Sequence, residues 1–157
     1  MYKRQTLYAP HQLGVDRWLA MLACQQVAPG PCLVIDCGTA TTFDQVNADG
    51  VHEGGYILPG LDLMQQSIWQ GTAIPKTDLC DLTPHLAQDT TAAIVQGSHH
   101  ALASLAHHMF STLPQNTTVF IGGGGGQALL PYLSIPYTYK PQMVIDGLVC
   151  LAQQTMS

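Results

Sequence analysis

The chain of 157 residues has a net charge of −5, with five lysines and arginines against ten aspartates and glutamates. So few positive charges argue against nucleic acid and anionic membranes as partners, and no apolar run reaches the roughly 18 residues of a membrane-spanning helix. Charged residues make up only 10% of the chain, well below the usual quarter or so, so we expect part of its surface to be covered in a domain or subunit interface.

The first predicted element is a helix over about 14–27, with Leu19 and Leu22 on its apolar face. Its first turn carries Asp16 beside Arg17. A carboxylate near a helix N-terminus is electrostatically favoured and can act as a general base, and a guanidinium fork suits a carboxylate or phosphate. An ordinary helix N-terminal acid beside a surface arginine fits equally well, so these residues alone leave both interpretations open.

A strand predicted over about 32–37 runs into Asp36-Cys-Gly38-Thr39, and a second strand follows over about 41–46. Gly38 lets the backbone approach a ligand, and the turn can present its amides and the Thr39 hydroxyl to a phosphate. Asp36, at the strand end, is placed to hold a cation beside that phosphate. A plain β-hairpin with a polar turn is the alternative.

The remaining predicted elements continue the alternation of strands and helices, which indicates an α/β fold. They are a strand over about 51–58, a helix over 61–70, a loop over 71–88, a helix over 90–112, a strand over 117–121, a helix over 127–133, a strand over 135–139 and a helix over 141–154. The five scattered cysteines include no C-x-x-C pair, which is typical of reduced thiols in a cytosolic protein.

Three further features have an open or a purely structural interpretation. The glycine run 122–126 lacks the spacing of a dinucleotide-binding loop, and it is either a nucleotide contact or a flexible loop. The histidine pairs 99–100 and 107–108 are interpreted as a solvated or interfacial helix face, because no acid or cysteine supports a metal site there. His52 is interpreted as a packing residue of its strand.

Five motifs in order along the chain resemble those of the type III pantothenate kinases, bacterial enzymes of coenzyme A synthesis with an actin-like ATPase fold. They are Tyr8-x-x-Pro10-x-x-Leu13-Gly14-x-Asp16-Arg17-Trp18, Asp36-x-Gly38-Thr39-Ala40-x-Thr42-x-Asp44, Gly50-x-His52-x-Gly54-Gly55-x-Ile57-x-Pro59-Gly60-Leu61, Thr90-x-x-Ala93-Ile94-x-x-Gly97 and Pro141-x-Met143-Val144-x-Asp146-Gly147-Leu148. The resemblance extends from Tyr8 to about Gln153. It implies an α/β domain of the actin-like, ribonuclease H-like type, with a mixed sheet and flanking helices.

The resemblance also implies a set of site residues and ligands. Asp16 would be the catalytic base for the primary hydroxyl of pantothenate, and Asp36 would hold a monovalent cation, K⁺ or NH₄⁺. The pantothenate site would consist of Tyr8, Gly14, Val15, Asp16, Arg17 and Thr90, with Thr90 reaching across the interface of a homodimer. ATP, arriving with Mg²⁺, would contact Gly38, Thr39, Gly122 and Gly123.

The activity that the resemblance implies is phosphorylation of pantothenate by ATP in the cytoplasm. Family members carry a further Asp-x-Gly-Asn-Thr phosphate loop ahead of the substrate motif, and this sequence has none. We therefore interpret residues 8–157 as the C-terminal part of such a kinase, forming a single domain, and leave residues 1–7 unassigned. We expect this polypeptide alone to bind ATP poorly and to turn over little or nothing. A non-catalytic ligand-binding or regulatory module on the same fold, or another small-molecule kinase of the superfamily, remains an alternative.

Overall fold

The computed structural model describes residues 6–9, 12–75 and 86–156, in which helices flank one mixed sheet. The helices are α1 (Val15–Val27), α2 (Leu61–Gly71), α3 (Thr90–Thr112), α4 (Gly126–Leu129) and α5 (Met143–Thr155), with a 3₁₀ turn at Leu130–Tyr132. The strands are β1 (Cys32–Cys37), β2 (Ala40–Val46), β3 (His52–Pro59), β4 (Thr118–Gly122) and β5 (Thr138–Tyr139). The predicted α/β fold class is confirmed. None of the described helices is both long and apolar enough to cross a membrane.

The sheet has the strand order β3-β2-β1-β4-β5. Strands β1, β2 and β3 form an antiparallel meander, whereas β4 and β5 run parallel to β1. The C-terminal ends of parallel strands meet at one edge of a sheet, where α/β proteins usually bind ligands. Asp36 of β1 is paired with Gly122 of β4 at that edge.

The central strand β1 is buried on both faces and divides the core in two. Leu33 and Ile35 pack in a core that includes Leu102 of α3. Cys32 and Val34 point the other way, into a core formed with α1 and α5. Because this alternation has a period of two, the side chain of Asp36 lies on the same face as helix α1.

The structure differs from the predicted elements in two places, and a proline explains each. The helix predicted over 127–133 is split into α4 and the 3₁₀ turn, since Pro131 lacks the amide that a continuing helix requires. The strand predicted over 135–139 is reduced to β5, since Pro136 cannot donate to a ladder. Of the loop predicted over 71–88, residues 76–85 lie outside the described residues.

Candidate active site

Two carboxylates of the sheet face helix α1. Asp36 follows Cys32 and Val34 at two-residue steps along β1. Asp44 of β2 is the register partner of Val34, and side chains of directly paired residues lie on the same face. Asp36 and Asp44 therefore both lie on the α1 side, one at the end of β1 and the other deeper in the sheet.

A third carboxylate, that of Asp16, lies at the start of α1. The N-cap, Gly14, has no side chain to accept from the free amides of the first turn. Asp16 accepts instead, since its Oδ1 lies 2.9 Å from the backbone N–H of Arg17. A Cβ at position 14 would lie only 2.7 Å from that oxygen, so glycine leaves room for the carboxylate to fold back. Asp16 thus does act as a helix N-terminal acid, and its side chain also remains open to solvent.

Arg17 points into the protein. Its Nε donates to Oδ2 of Asp44 at 3.0 Å and its Nη2 to Oδ1 at 2.5 Å, in a bidentate ion pair. Arg17 is only 5% exposed, so the alternative of a surface arginine is wrong. The guanidinium fork that we expected to clamp a ligand holds an internal carboxylate.

His52 does more than pack its strand. It is buried, its Nε2 lies 2.8 Å from Asp44 Oδ1, and its Nδ1 lies 3.0 Å from the hydroxyl of Thr6. On the other side of the pair, Arg17 Nη2 donates to the hydroxyl of Tyr8 at 3.3 Å. The sequence analysis assigned no role to Asp44, although a carboxylate within a buried strand requires partners; that requirement was the available signal.

The carboxyls of Asp36 and Asp44 differ in their electrostatics. Burial alone would raise the pKa of Asp44, but hydrogen bonds from His52 and Arg17 outweigh it and hold that pKa below its ordinary value. Burial, and then the charges of Asp16 and Asp44, raise the pKa of the Asp36 carboxyl. Asp44 is therefore a neutralised structural anion, whereas Asp36 carries an unfavourable negative charge beside two others.

This charge imbalance suits a cation. Neither Asp16 nor Asp36 has an ion-pair partner in the described part of the chain. No group of three His, Cys, Asp or Glu side chains among the described residues could hold a metal by itself. One or two carboxylates combined with substrate phosphates are the usual protein contribution to a Mg²⁺ site, so the arrangement fits a cation that a phosphate ligand helps to hold.

The turn between β1 and β2 presents the residues predicted to contact phosphate. Gly38 and Thr39 are exposed. Behind them, the N–H of Gly60 donates to the carbonyl of Thr39 at 2.8 Å, and a Cβ at position 60 would lie 2.1 Å from the carbonyl of Gly38. The start of α2 thus supports the turn from behind and leaves its outer side accessible.

The glycine run folds over the end of β1. Gly123 has φ +79°, and a Cβ there would lie 2.4 Å from Asp36 Oδ1 and 2.5 Å from the Cys37 carbonyl. Gly125 donates its N–H to the same carbonyl at 2.8 Å. Gly124 has open space instead. The run is therefore a built turn against Asp36, and the interpretation as a flexible loop does not describe Gly123 or Gly125.

Thr90 lies apart from the other predicted substrate residues. It lines a groove of about 540 Å³ between α2 and α3, and neither Tyr8 nor Asp16 lines that groove. The groove ends at Pro59, directly before the Gly60 that supports the phosphate turn. The predicted contact of Thr90 with pantothenate across a dimer interface stays a prediction.

Three histidines of the pairs on α3 contact the segment that follows α4, at Tyr132 and Ser134. The buried His99 stacks on Tyr132 with ring centroids 4.7 Å apart, and His100 meets the same ring edge-on at 5.1 Å. Nε2 of His107 accepts the N–H of Ser134 at 3.0 Å. Of the solvated or interfacial face that we expected, His100 and His108 are exposed, whereas His99 is buried within the chain.

Comparison with known proteins shows which family has sequences similar to this chain. A sequence model described as type III pantothenate kinase matches residues 4–112. A type III pantothenate kinase of Azoarcus sp. (strain BH72) is 40% identical over 145 residues, covering 91% of this chain and 55% of the relative. One of Halorhodospira halophila is 37% identical over 144 residues, covering 89% of this chain and 57% of the relative. The chain spans between 55% and 60% of the length of such curated relatives.

Solved structures share the fold. A Baf family protein from Campylobacter jejuni superposes with a TM-score of 0.73 at 24% identity, covering 98% of this chain and 69% of its own. A protein from Sinorhizobium meliloti named for 2-dehydro-3-deoxygalactonokinase superposes with a TM-score of 0.62 at 16% identity, covering 88% of this chain and 59% of its own. These likenesses show that the chain shares its fold with both proteins. The match to residues 4–112 shows that the chain belongs to the type III pantothenate kinase family.

Proposed function

We propose that this chain takes part in ATP-dependent phosphorylation of the primary hydroxyl of pantothenate, the first step of coenzyme A synthesis. The observation that carries the proposal is the position of Asp36, which lies at the end of β1 between two glycine turns and whose pKa is raised by burial and then by the charge of Asp16. Neither carboxylate has a cationic partner among the described residues. Family membership supports the choice of substrate. A cytoplasmic homodimer is the assembly we infer, with Thr90 completing the partner's pantothenate site.

Each predicted residue has a part in this reaction. Asp16 takes the proton of the hydroxyl, whose oxygen then bonds the γ-phosphorus as the bond to the leaving ADP breaks. Tyr8, Gly14 and Val15 line the pantothenate site around it. Arg17 contributes through its main chain and through its grip on Asp44, because its guanidinium is held inside the protein.

The phosphates lie against the two glycine turns in this proposal. Gly38 and Thr39 contact ATP from one side, and Gly122 and Gly123 contact it from the other. Asp36 between them holds a monovalent cation, K⁺ or NH₄⁺, and Mg²⁺ arrives with the nucleotide. These cations supply the charge neutralisation that phosphoryl transfer needs. They also offset the burial and the neighbouring negative charges that together raise the pKa of Asp36.

The substitution Asp16→Asn tests the proposal. Purified chain is incubated with ATP, Mg²⁺, K⁺ and pantothenate, and phosphopantothenate is detected by mass spectrometry because we expect low turnover. Loss of the base lowers product formation by about 100-fold or more, while calorimetry shows pantothenate binding within a few-fold of wild type. If both chains bind pantothenate and neither forms product, the result fits the binding module that we named as the alternative and also a part of a kinase that is inactive by itself. Equal product from both chains contradicts the role of Asp16.

A further inference from the structure

Five polar side chains form a closed ring beneath the start of α1, which we call the polar ring: Thr6, Tyr8, Arg17, Asp44 and His52. Arg17 joins Asp44 to the hydroxyl of Tyr8, and His52 joins Asp44 to the hydroxyl of Thr6. The ring closes because the backbone N–H of Tyr8 donates to that same threonine oxygen at 3.1 Å. Arg17, Asp44 and His52 are buried, each at most 5% exposed.

The direction of each hydrogen bond in the polar ring follows from its partners. Asp44 is ionised and only accepts, so Nε2 of His52 carries the proton that faces it. The hydroxyl of Thr6 accepts the Tyr8 amide and is free to donate to Nδ1 of His52. The Nε2–H of His52 and the hydroxyl of Thr6 therefore each have an acceptor within the polar ring.

We propose that His52 is a positioning residue for the reaction, acting through Asp44 and Arg17 on the carboxylate of Asp16. The effect of His52 on substrate binding rests on the proposed function. Its effect on the position of Asp16 rests on the hydrogen bonds of the polar ring. Among the described residues, His52 supplies a donor to Asp44 in addition to those of Arg17. Without it, the buried Asp44 draws the guanidinium away from Tyr8, and the first turn of α1 moves with Arg17. The backbone N–H of Arg17 is the group that holds the Asp16 carboxylate.

Amide hydrogen exchange at Arg17 reports whether the Asp16 carboxylate is held in place, and it requires no ligand. The N–H of Arg17 is protected only while Asp16 accepts from it, because the first amides of a helix have no intrahelical acceptor. His52→Phe keeps an aromatic ring and removes the donor, so exchange at Arg17 rises by about tenfold or more, as loss of a buried bond to a charge predicts. His52→Gln keeps an N–H near Nε2 and restores slow exchange. Glu53→Gln is the matched control on the same strand, since Glu53 is exposed and bonds only Gln45 and Asn47 among the described residues.

The amide of Val34 in β1 serves as the internal reference. Faster exchange at Arg17 with Val34 unchanged supports the proposal, whereas unchanged exchange at Arg17, or an equal rise at both amides, overturns it. Should His52→Phe fail to fold, Thr6→Val removes the other partner of the imidazole at an exposed position, and the same comparison of the two amides decides.

Pantothenate binding, measured by calorimetry on the same chains, separates this proposal from the proposed function. His52→Phe weakens binding by about tenfold, and His52→Gln and Glu53→Gln leave it within about threefold of wild type. Altered exchange at Arg17 with unaltered pantothenate affinity overturns the link to substrate. If wild-type chain binds no pantothenate, the proposed function fails, and the exchange data still decide whether His52 positions Asp16.

Discussion

At the scale of single residues, three aspartates have three different tasks. Asp44 is paired with Arg17, accepts a hydrogen bond from His52 and is structural. Asp16 caps the first turn of α1 and stays exposed. Asp36 is half-buried near both, and burial and their charges raise its pKa. The ionised carboxylate of Asp36 therefore lowers the stability of the folded chain when no cation is bound beside it.

We expect Asp36→Asn to stabilise the cation-free chain at pH 7. A carboxyl whose pKa is raised by folding destabilises the folded state above the folded pKa, and that penalty disappears as pH falls toward the unfolded value of 3.8. The Tm gain is up to about 4 °C at pH 7, since solvent screens a partly exposed charge, and it shrinks at lower pH. Thermal denaturation from pH 7 to 4.5 measures it, with Asp49→Asn in an exposed turn as control. A Tm gain that grows on acidification would contradict this account of Asp36.

Cys37 lies beside the site, and we expect its thiol to be inert. Burial, and then the charge of Asp36, raise the pKa of Cys37 to about 12, so almost no reactive thiolate forms near neutral pH. Cys150 is partly exposed. Iodoacetamide at pH 8 followed by peptide mass mapping should label Cys150 and spare Cys37 in the folded chain. Equal labelling of both thiols would show that the end of β1 opens to solvent.

At the scale of elements, the site depends on the close approach of two turns to the end of β1. The Gly38–Thr39 turn rests on Gly60, and the glycine run rests on Asp36 and Cys37 through Gly123 and Gly125. Within the glycine run, neighbouring residues differ sharply in how much room they have.

Gly123→Ala and Gly124→Ala form a matched pair. Residue 123 has a positive φ, which disfavours alanine. A methyl group there would also lie 2.4 Å from Asp36 Oδ1 and 2.5 Å from the carbonyl oxygen of Cys37. We expect it to lower the free energy of unfolding by about 2 kcal/mol or more. At position 124 nothing lies within 4 Å, and the change should stay within about 0.5 kcal/mol. Urea denaturation measures both, and equal effects would show that the turn is not held against Asp36.

The strands and helices were predictable where a hydrophobic period was clear, and less so where prolines intervene. The two-residue period of β1 predicts that Asp36 shares a face with Val34, but it does not say which helix covers that face. The pairing of Arg17 with Asp44 joins residues 27 positions apart, and it depends on the register of β2 and on the packing of α1. No local pattern encodes that contact, so the residues around Arg17 leave open whether it contacts a ligand or lies on the surface.

At the scale of the whole molecule, the chain has few charged residues, and two of its carboxylates belong to the candidate active site. The parallel strands β1 and β4 end beside each other, and the start of α1 reaches the same edge with Asp16. Large apolar side chains remain exposed on α5, at Ile145, Leu148 and Val149, as the composition predicts for a chain with a covered interface. We propose that pantothenate is phosphorylated at this edge, because Asp16 and Asp36 have no cationic partner among the described residues.

A crystal structure of this chain with bound pantothenate tests the central claim most directly. The account predicts that a carboxylate oxygen of Asp16 lies about 2.6–3.2 Å from the primary hydroxyl of pantothenate, and that this hydroxyl faces the turns at Gly38 and Gly123. Pantothenate bound elsewhere, or bound with its hydroxyl turned away from Asp16, would contradict it.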